Sequence, residues 1–320
     1  MKAKILILVA AGLTVVFICF YSQPRLSRRE EKQTPANQSS AQPRLLRANS
    51  PSRGEAHQFP ELPALPPNPS IPESIRPIYG MEGEDFFGRL EAVKRLGNSL
   101  KEEERQALID FLRTYQEEGV RERRGVLKND IILVLKKQLR FPADLEGTLM
   151  EIFQDPQQDP VVRDYALQHL STMYERATAK DTIKQLLWDG LNEVETSIAG
   201  SALLALERWH GLGAGIEQSQ LELAALQLAR NQNASELSRI TAIQVCAHLK
   251  LKEVLSTVVS LVQSKTSLPL QISAVAALGE LGGADNRQIL ETLSLSAGAR
   301  IQPAAQLALR RLNQHLGQTN

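Results

Sequence analysis

The residues best placed to do chemistry in this chain are basic. Arg121-Glu122-Arg123-Arg124 is followed by Lys128, Lys136, Lys137 and Arg140, and such a run offers several cations at once to an acidic partner or a phosphate. Arg121, Arg123, Arg124, Lys128, Lys136, Lys137 and Arg140 are therefore the candidate partner-binding residues. A plainer reading competes with this one. Residues 84–140 hold 13 basic and 11 acidic side chains, which also describes a solvated helix surface of mixed charge.

Catalytic and cofactor chemistry finds less support. Gly211-Leu212-Gly213-Ala214-Gly215 looks like a phosphate-cradling loop, but a dinucleotide site needs a strand before it and a helix opened by the last glycine. Here a helix ending at Trp209-His210 precedes the glycines, so the segment is expected to be an inter-helix turn. The histidines, at 57, 169, 210, 248 and 315, show no i, i+4 pair, whereas zinc sites bring several ligands together. His169 and His248 are expected at the polar margins of helices. No serine sits in a strand-turn-helix nucleophile elbow. The chain is therefore read as a non-enzyme with no cofactor and no metal.

The elements that must position any site are written in a ladder. Small or aliphatic residues are followed four positions later by another apolar one at Ile131/Leu135, Ala166/Leu170, Ala202/Leu206, Ala242/Cys246, Ala274/Leu278 and Ala305/Leu309. The first members lie 35, 36, 40, 32 and 31 residues apart. A unit of about 30–40 residues that cannot bury its apolar face alone must stack on its neighbours. Each unit reads as two helices. The pairs expected are Glu103–Tyr115 with Val126–Leu139, Leu145–Phe153 with a helix from Val161, Ile183–Leu191 with Ser197–Trp209, and Leu221–Ala229 with Ser238–Leu249. Val254–Val262 with Leu270–Leu281 and Ile289–Ser294 with Pro303–Leu312 complete the six. Asp85–Leu96 is expected as a lone capping helix. The alanines at the ladder positions let adjacent helices approach, and Gly279 and Gly282-Gly283 fit a left-handed helix end.

Ser273-Ala274-Val275-Ala276-Ala277-Leu278-Gly279-Glu280-Leu281-Gly282 resembles the second helix and turn of a HEAT repeat, including the HEAT-like repeats named after phycobilisome lyases. Pro160-Val161-Val162-Arg163-Asp164-Tyr165-Ala166-Leu167 resembles the start of that family's second helix. The resemblance covers about residues 100–315 and implies a right-handed superhelical solenoid. It implies little about activity, since such arrays scaffold unrelated functions. The family's basic residue before the alanine stands as Arg163 and Arg239 but is Gln271 and Gln302 later, so no continuous charged ladder is expected.

The N-terminal quarter is built differently. Met1-Lys2-Ala3-Lys4 precedes an apolar run from Ile5 to Tyr21, about 25 Å long as a helix and at the short end of a membrane span. Its exit, Ile18-Cys19-Phe20-Tyr21-Ser22, lacks the small residues of a cleavage site. An uncleaved single-pass anchor is the leading expectation, with a cleaved signal or a lipid-modified Cys19 as alternatives. The basic residues after the run favour a cytoplasmic C-terminal domain if the positive-inside rule is applied literally. The short basic head followed at once by an apolar run favours export, and the non-cytoplasmic side is the orientation expected here. Eleven of the sixteen prolines fall between Pro24 and Pro77, and the stretch has no apolar period, so a disordered tether is expected.

The expected division is therefore 1–22 anchor or signal, 23–78 linker, and 79–317 an all-α, HEAT-like helical-repeat solenoid. With 37 basic and 36 acidic side chains, the chain lacks the basic excess of a dedicated nucleic-acid binder. Beyond the linker only Cys246 remains, so no disulfide forms within the repeats. The function expected is a membrane-tethered scaffold binding a protein or peptide on its concave face. Polyanion binding through residues 121–140 and an accessory subunit of an enzyme are the alternatives.

Overall fold

The computed structural model describes residues 71–81, 83–115, 121–296, 298 and 300–318, together with Val9–Ala10 and Leu13–Thr14; for those last four and for 121–123, 296 and 318 it describes the backbone alone. The chain divides into two units, Met1–Ala56 and His57–Asn320. In the first, Val9–Ala10 pairs antiparallel with Leu13–Thr14. Apart from those four residues, the anchor expected over 5–21 lies outside the described residues, as does the linker up to residue 70. No described helix is long and apolar enough to cross a membrane.

The second unit is all-α. Its described helices are α1 (Arg76–Tyr79), α2 (Phe86–Arg95), α3 (Glu102–Arg113), α4 (Arg121–Lys136), α5 (Leu145–Gln154), α6 (Pro160–Ser171) and α7 (Lys180–Gly190). They continue with α8 (Ile198–Gly211), α9 (Gln218–Arg230), α10 (Glu236–His248), α11 (Leu255–Gln263), α12 (Leu268–Leu281), α13 (Arg287–Ser296) and α14 (Gln302–Gln318). Every expected pair is present, from α3 with α4 to α13 with α14, and α2 is the lone helix before them.

Local chemistry explains where helices start. Asp85, Asp159, Ser235 and Ser267 each accept a backbone N–H of the turn they open, from Gly88, Val161, Ser238 and Leu270, meeting donors that a helix start leaves unsatisfied. Pro160 and Pro269 occupy first-turn positions, where the missing N–H costs nothing. Glu146 reaches from α5 to the start of α7, accepting from the N–H groups of Thr178 at 2.9 Å and Ala179 at 2.7 Å.

Two boundaries differ from expectation. The helical body reaches upstream of 79: a 3-10 turn spans Glu73–Ile75, Ile71, Ile75, Ile78 and Tyr79 are all buried, and Tyr79 packs edge-on against Phe111 with ring centroids 5.1 Å apart. Pro77 stands in the first turn of α1, so proline density there does not mark a linker. Helix α4 runs Arg121–Lys136 instead of Val126–Leu139. It stops early because the Gln138 carboxamide donates to the Val134 carbonyl at 3.1 Å, while the Leu139 N–H donates to Asn98.

Packing follows one rule. Each odd-numbered helix from α3 to α13 packs against the even-numbered helix that follows it. The even-numbered helices also pack against each other in an unbroken row from α2 to α14. Among the odd-numbered helices only α3 and α5 make a comparable contact. Ladder residues fill the row's interior: Ile131, Leu135, Ala166, Leu170, Ala202, Leu206, Ala242, Cys246, Ala274, Leu278 and Ala305 are each 0% exposed, and Leu309 is half-buried.

Gly279 corrects an expectation. It is not a left-handed helix end but lies inside α12, where a Cβ would sit 2.6 Å from the Ala308 Cα of α14. Gly200 does the same for α8, its Cβ position 2.9 Å from the Ser238 Cα of α10. Gly282 is extended at φ −63, ψ 159, and Gly283 likewise has negative φ. The space they leave, not a left-handed backbone, is what the first two glycines supply.

Candidate partner-binding surface

The expected basic patch does not form as one surface. Arg124 is 1% exposed and Lys128 is 0% exposed, because both face the core side of α4; neither can meet a partner. Lys136 is half-buried, and Lys137 and Arg140 are exposed. The side chains of Arg121 and Arg123 lie outside the described residues. Burial comes from helix geometry: Arg124, Lys128, Ile131 and Leu135 follow i, i+4, i+7, i+11 spacing, one stripe of a 3.6-residue helix.

Lys128 has an internal task instead. Its ammonium donates to the Thr114 carbonyl just beyond α3 and to Gln158 Oε1 at 3.4 Å. Lys128 stands three residues before the ladder residue Ile131, as Arg163, Gln271 and Gln302 stand before Ala166, Ala274 and Ala305. Those three do the same work. Arg163 Nε donates to Phe153 O at 2.8 Å, Gln271 Nε2 to Val262 O at 3.1 Å, and Gln302 Nε2 to Ser294 O at 2.9 Å. In these four of the six units the residue ties the even helix to carbonyls that the preceding odd helix leaves open at its C-terminus; at the same position α8 carries Ala199, and α10 carries Arg239, whose buried Nε has no hydrogen-bond partner. Where the tie is made, a donor and not a charge is required, so lysine, arginine and glutamine all serve. Arg163 additionally pairs with Glu193.

The site's electrostatics follow from this burial. Burial, and then the Arg124 charge, lower Lys128 to about 7. Arg89 is 0% exposed, donates from Nε to Ile78 O at 2.8 Å, and sits under Gly80, whose φ of +73 and lack of a Cβ leave it room. Burial and Arg124 lower it to about 10. Lys136 donates to the Thr172 hydroxyl and lies 3.4 Å from His169 Nδ1. Burial, followed by Arg208 and Arg176, lowers it to about 8. His169 is lowered to about 3 by burial and then by Lys136, and its Nε2 lies 3.0 Å from Asn129 Oδ1. These groups knit helices together.

The row of even helices presents another face outward. Two residues after each ladder position, 200° around the helix from the buried stripe, come Leu133, Gln168, Leu204, Gln244, Ala276 and Leu307. All are exposed except Leu204, which is half-buried; Leu133 is 39% and Leu307 46% exposed. This ridge carries no charge. Polar side chains flank it six residues after the ladder position, where Lys137, Thr172, Arg208, His248, Glu280 and Arg311 stand. His248 pairs with Glu207 of α8, and Arg311 and Lys250 with Glu280 at 2.7 and 3.1 Å. An uncharged strip with a polar border is how interfaces are composed. The ridge was not among the expected site residues, although its signal, a fixed offset of two from the ladder, is present in the sequence.

The remaining candidates resolve individually. Gly211 ends α8 and residues 212–217 form the turn before α9, with Gly213 and Gly215 at φ +75 and +67. His210 Nδ1 lies 2.8 Å from Ile216 O in that turn. Among the described residues no three His, Cys, Asp or Glu side chains gather as metal ligands would. Cys246 is buried within α10. Comparison with protein-family models, with curated proteins and with solved structures finds no match.

Proposed function

We propose that this chain is a non-enzymatic, membrane-tethered scaffold whose repeat region is a HEAT-like solenoid offering its concave face to a protein or peptide. The observation that carries the reading is the unequal packing of the two helix layers. Even helices pack closely on their even neighbours throughout, while among the odd ones only α3 and α5 do so comparably. The closer-packed layer lies on the shorter radius of a curved stack, which makes the even helices the concave side. The ridge Leu133, Gln168, Leu204, Gln244, Ala276 and Leu307 then lines that side, its small and amide residues suited to a partner's backbone and apolar side chains. The apolar run at residues 5–21 supports the tether and an export orientation.

Photo-crosslinking in cells tests the proposal, with a crosslinkable residue at Leu133, Leu204 or Leu307 and, as a control, at exposed Leu295 of α13. One protein captured from the first three and not from Leu295, and lost on deleting residues 1–22, is the expected result. Capture of nucleic acid or phospholipid alone near Lys136–Arg140 would put polyanion binding in its place.

A further inference from the structure

Among the described residues, the only charged side chains under 2% exposed are Arg89, Arg124 and Lys128. All three are cations, one on α2 and two on α4, and α2 packs against both α1 and α4. A charge taken out of water needs a partner, or the core carries its full desolvation cost. Lys128 meets that demand through Thr114 O and Gln158 Oε1, and it can shed its proton near pH 7. Arg89 does neither. Its Nε donates to Ile78 O at 2.8 Å, but Nη1 and Nη2 are shut off from solvent and have no hydrogen-bond partner. Every N–H on those two nitrogens is left without an acceptor. Deprotonation offers no relief, because burial and Arg124 lower Arg89 only to about 10. Glu84 is the nearby acid that raises it, yet Glu84 bonds to neither nitrogen.

The arrangement selects its occupant. A guanidinium offers its terminal nitrogens as a parallel pair, which fits two oxygens of one oxyanion. Arg124 adds a second positive charge to that of Arg89, so a dianion balances the two and a monovalent ion leaves one uncompensated. Burial then sets the size. With Arg89 at 0% and Arg124 at 1% exposure, an oxyanion attached to a lipid, peptide or nucleic acid would drag the rest of its molecule into the core. A free inorganic ion does not. Gly80 keeps one side of the guanidinium open, since a Cβ there would stand 3.2 Å from Nη1.

We propose that Arg89, with Arg124 beside it, holds an inorganic dianion, phosphate or sulfate, within the packing of α1, α2 and α4. The ion is structural. It is captured as these helices close, and it neutralises charge that the core would otherwise bear alone. It lies on the core side of α4, away from the even-helix ridge, so this site and the scaffold reading stand or fall separately.

The test uses the full chain, purified in a maltoside detergent and desalted into buffer free of phosphate and sulfate. Unfolding it in urea and passing the filtrate over an ion-exchange column should yield about one phosphate or sulfate per chain. Which ion elutes names the source. Arg89→Met keeps the side chain's reach without its charge, and should release less than about a tenth as much. Lys137→Met, at an exposed position of α4, should release as much as the wild type, because a surface cation exchanges its ion during desalting. Refolded without the ion, the wild type should gain a saturable rise in urea midpoint from sodium phosphate or sulfate, beyond that from sodium chloride at matched ionic strength. Arg89→Met should show no such difference. If that variant fails to fold, the ion count of the wild type still decides the matter. Less than about a tenth of an oxyanion per chain, chloride alone, or equal release from a folded Arg89→Met overturns the site.

Discussion

Lys128 shows how far a residue's position can override its type. A lysine at 0% exposure, held at about 7 by burial and Arg124, makes stability depend on pH in a definite direction. Below pH 7 the folded and unfolded chains both carry the proton, and the folded state bears the full cost of a buried charge. Between about 7 and the ordinary lysine range the folded state has lost its proton while the unfolded state keeps it. Stability should therefore rise with pH across that window, by at most about 1.4 kcal/mol per unit. Urea titrations between pH 6.5 and 9.5 check this, and Lys128→Met should flatten the slope. Gly279 makes the opposite point, that an absent side chain can matter as much. Gly279→Ala pushes a methyl to within 2.6 Å of the Ala308 Cα, which neither helix backbone can avoid. A loss of about 1–3 kcal/mol in chemical denaturation is expected. Ala274→Leu, in the same helix and 0% exposed, should cost about as much by overpacking.

At the scale of elements, helix positions were legible where a boundary has a local cause. Asp159-Pro160 starts α6 and Ser267 starts α12 through side-chain acceptors that reading along the chain can anticipate. The end of α4 was not legible, since just beyond it the Leu139 N–H donates to the carbonyl of Asn98, 41 residues earlier in the chain. Nor was the tie between the helices of a pair, which needs Lys128, Arg163, Gln271 and Gln302 to be seen beside the carbonyls they serve. That tie makes a prediction about chemistry, not charge. Gln271→Arg should be tolerated within about 0.5 kcal/mol, as at Arg163, while Gln271→Leu orphans the Val262 carbonyl and should cost about 1–2 kcal/mol. Thermal unfolding of the two variants side by side distinguishes a requirement for a donor from a requirement for an amide.

At the scale of the molecule, each pair leans on the next, so the ends are where the design is exposed. Helix α14 covers α12, burying Leu278 and Leu281. Deleting residues 282–320 should leave that face open and produce concentration-dependent association in sedimentation, with the upstream helices retained by circular dichroism. The N-terminal end is closed by α1 and the turn before it, an element that the proline-rich composition of 60–77 concealed. Ile71, Ile75 and Ile78 keep the spacing of a buried helical stripe despite Pro72 and Pro77.

The sequence by itself determined that this region is helical, how many pairs it holds and which residues face inward. A buried helix face needs apolar side chains at a period of 3.6 residues, and that period survives in one dimension. Only the tertiary structure decided which polar residues reach solvent. Arg124 and Lys128 read as surface cations by type, and they became internal groups because Thr114 and Tyr115, just beyond α3, and Gln158 of the loop before α6 meet that side of α4. The uncharged ridge likewise becomes one surface only when the even helices stand side by side. Local periodicity specifies each helix face, but which faces meet a neighbour and which are left open depends on how tightly the two layers pack.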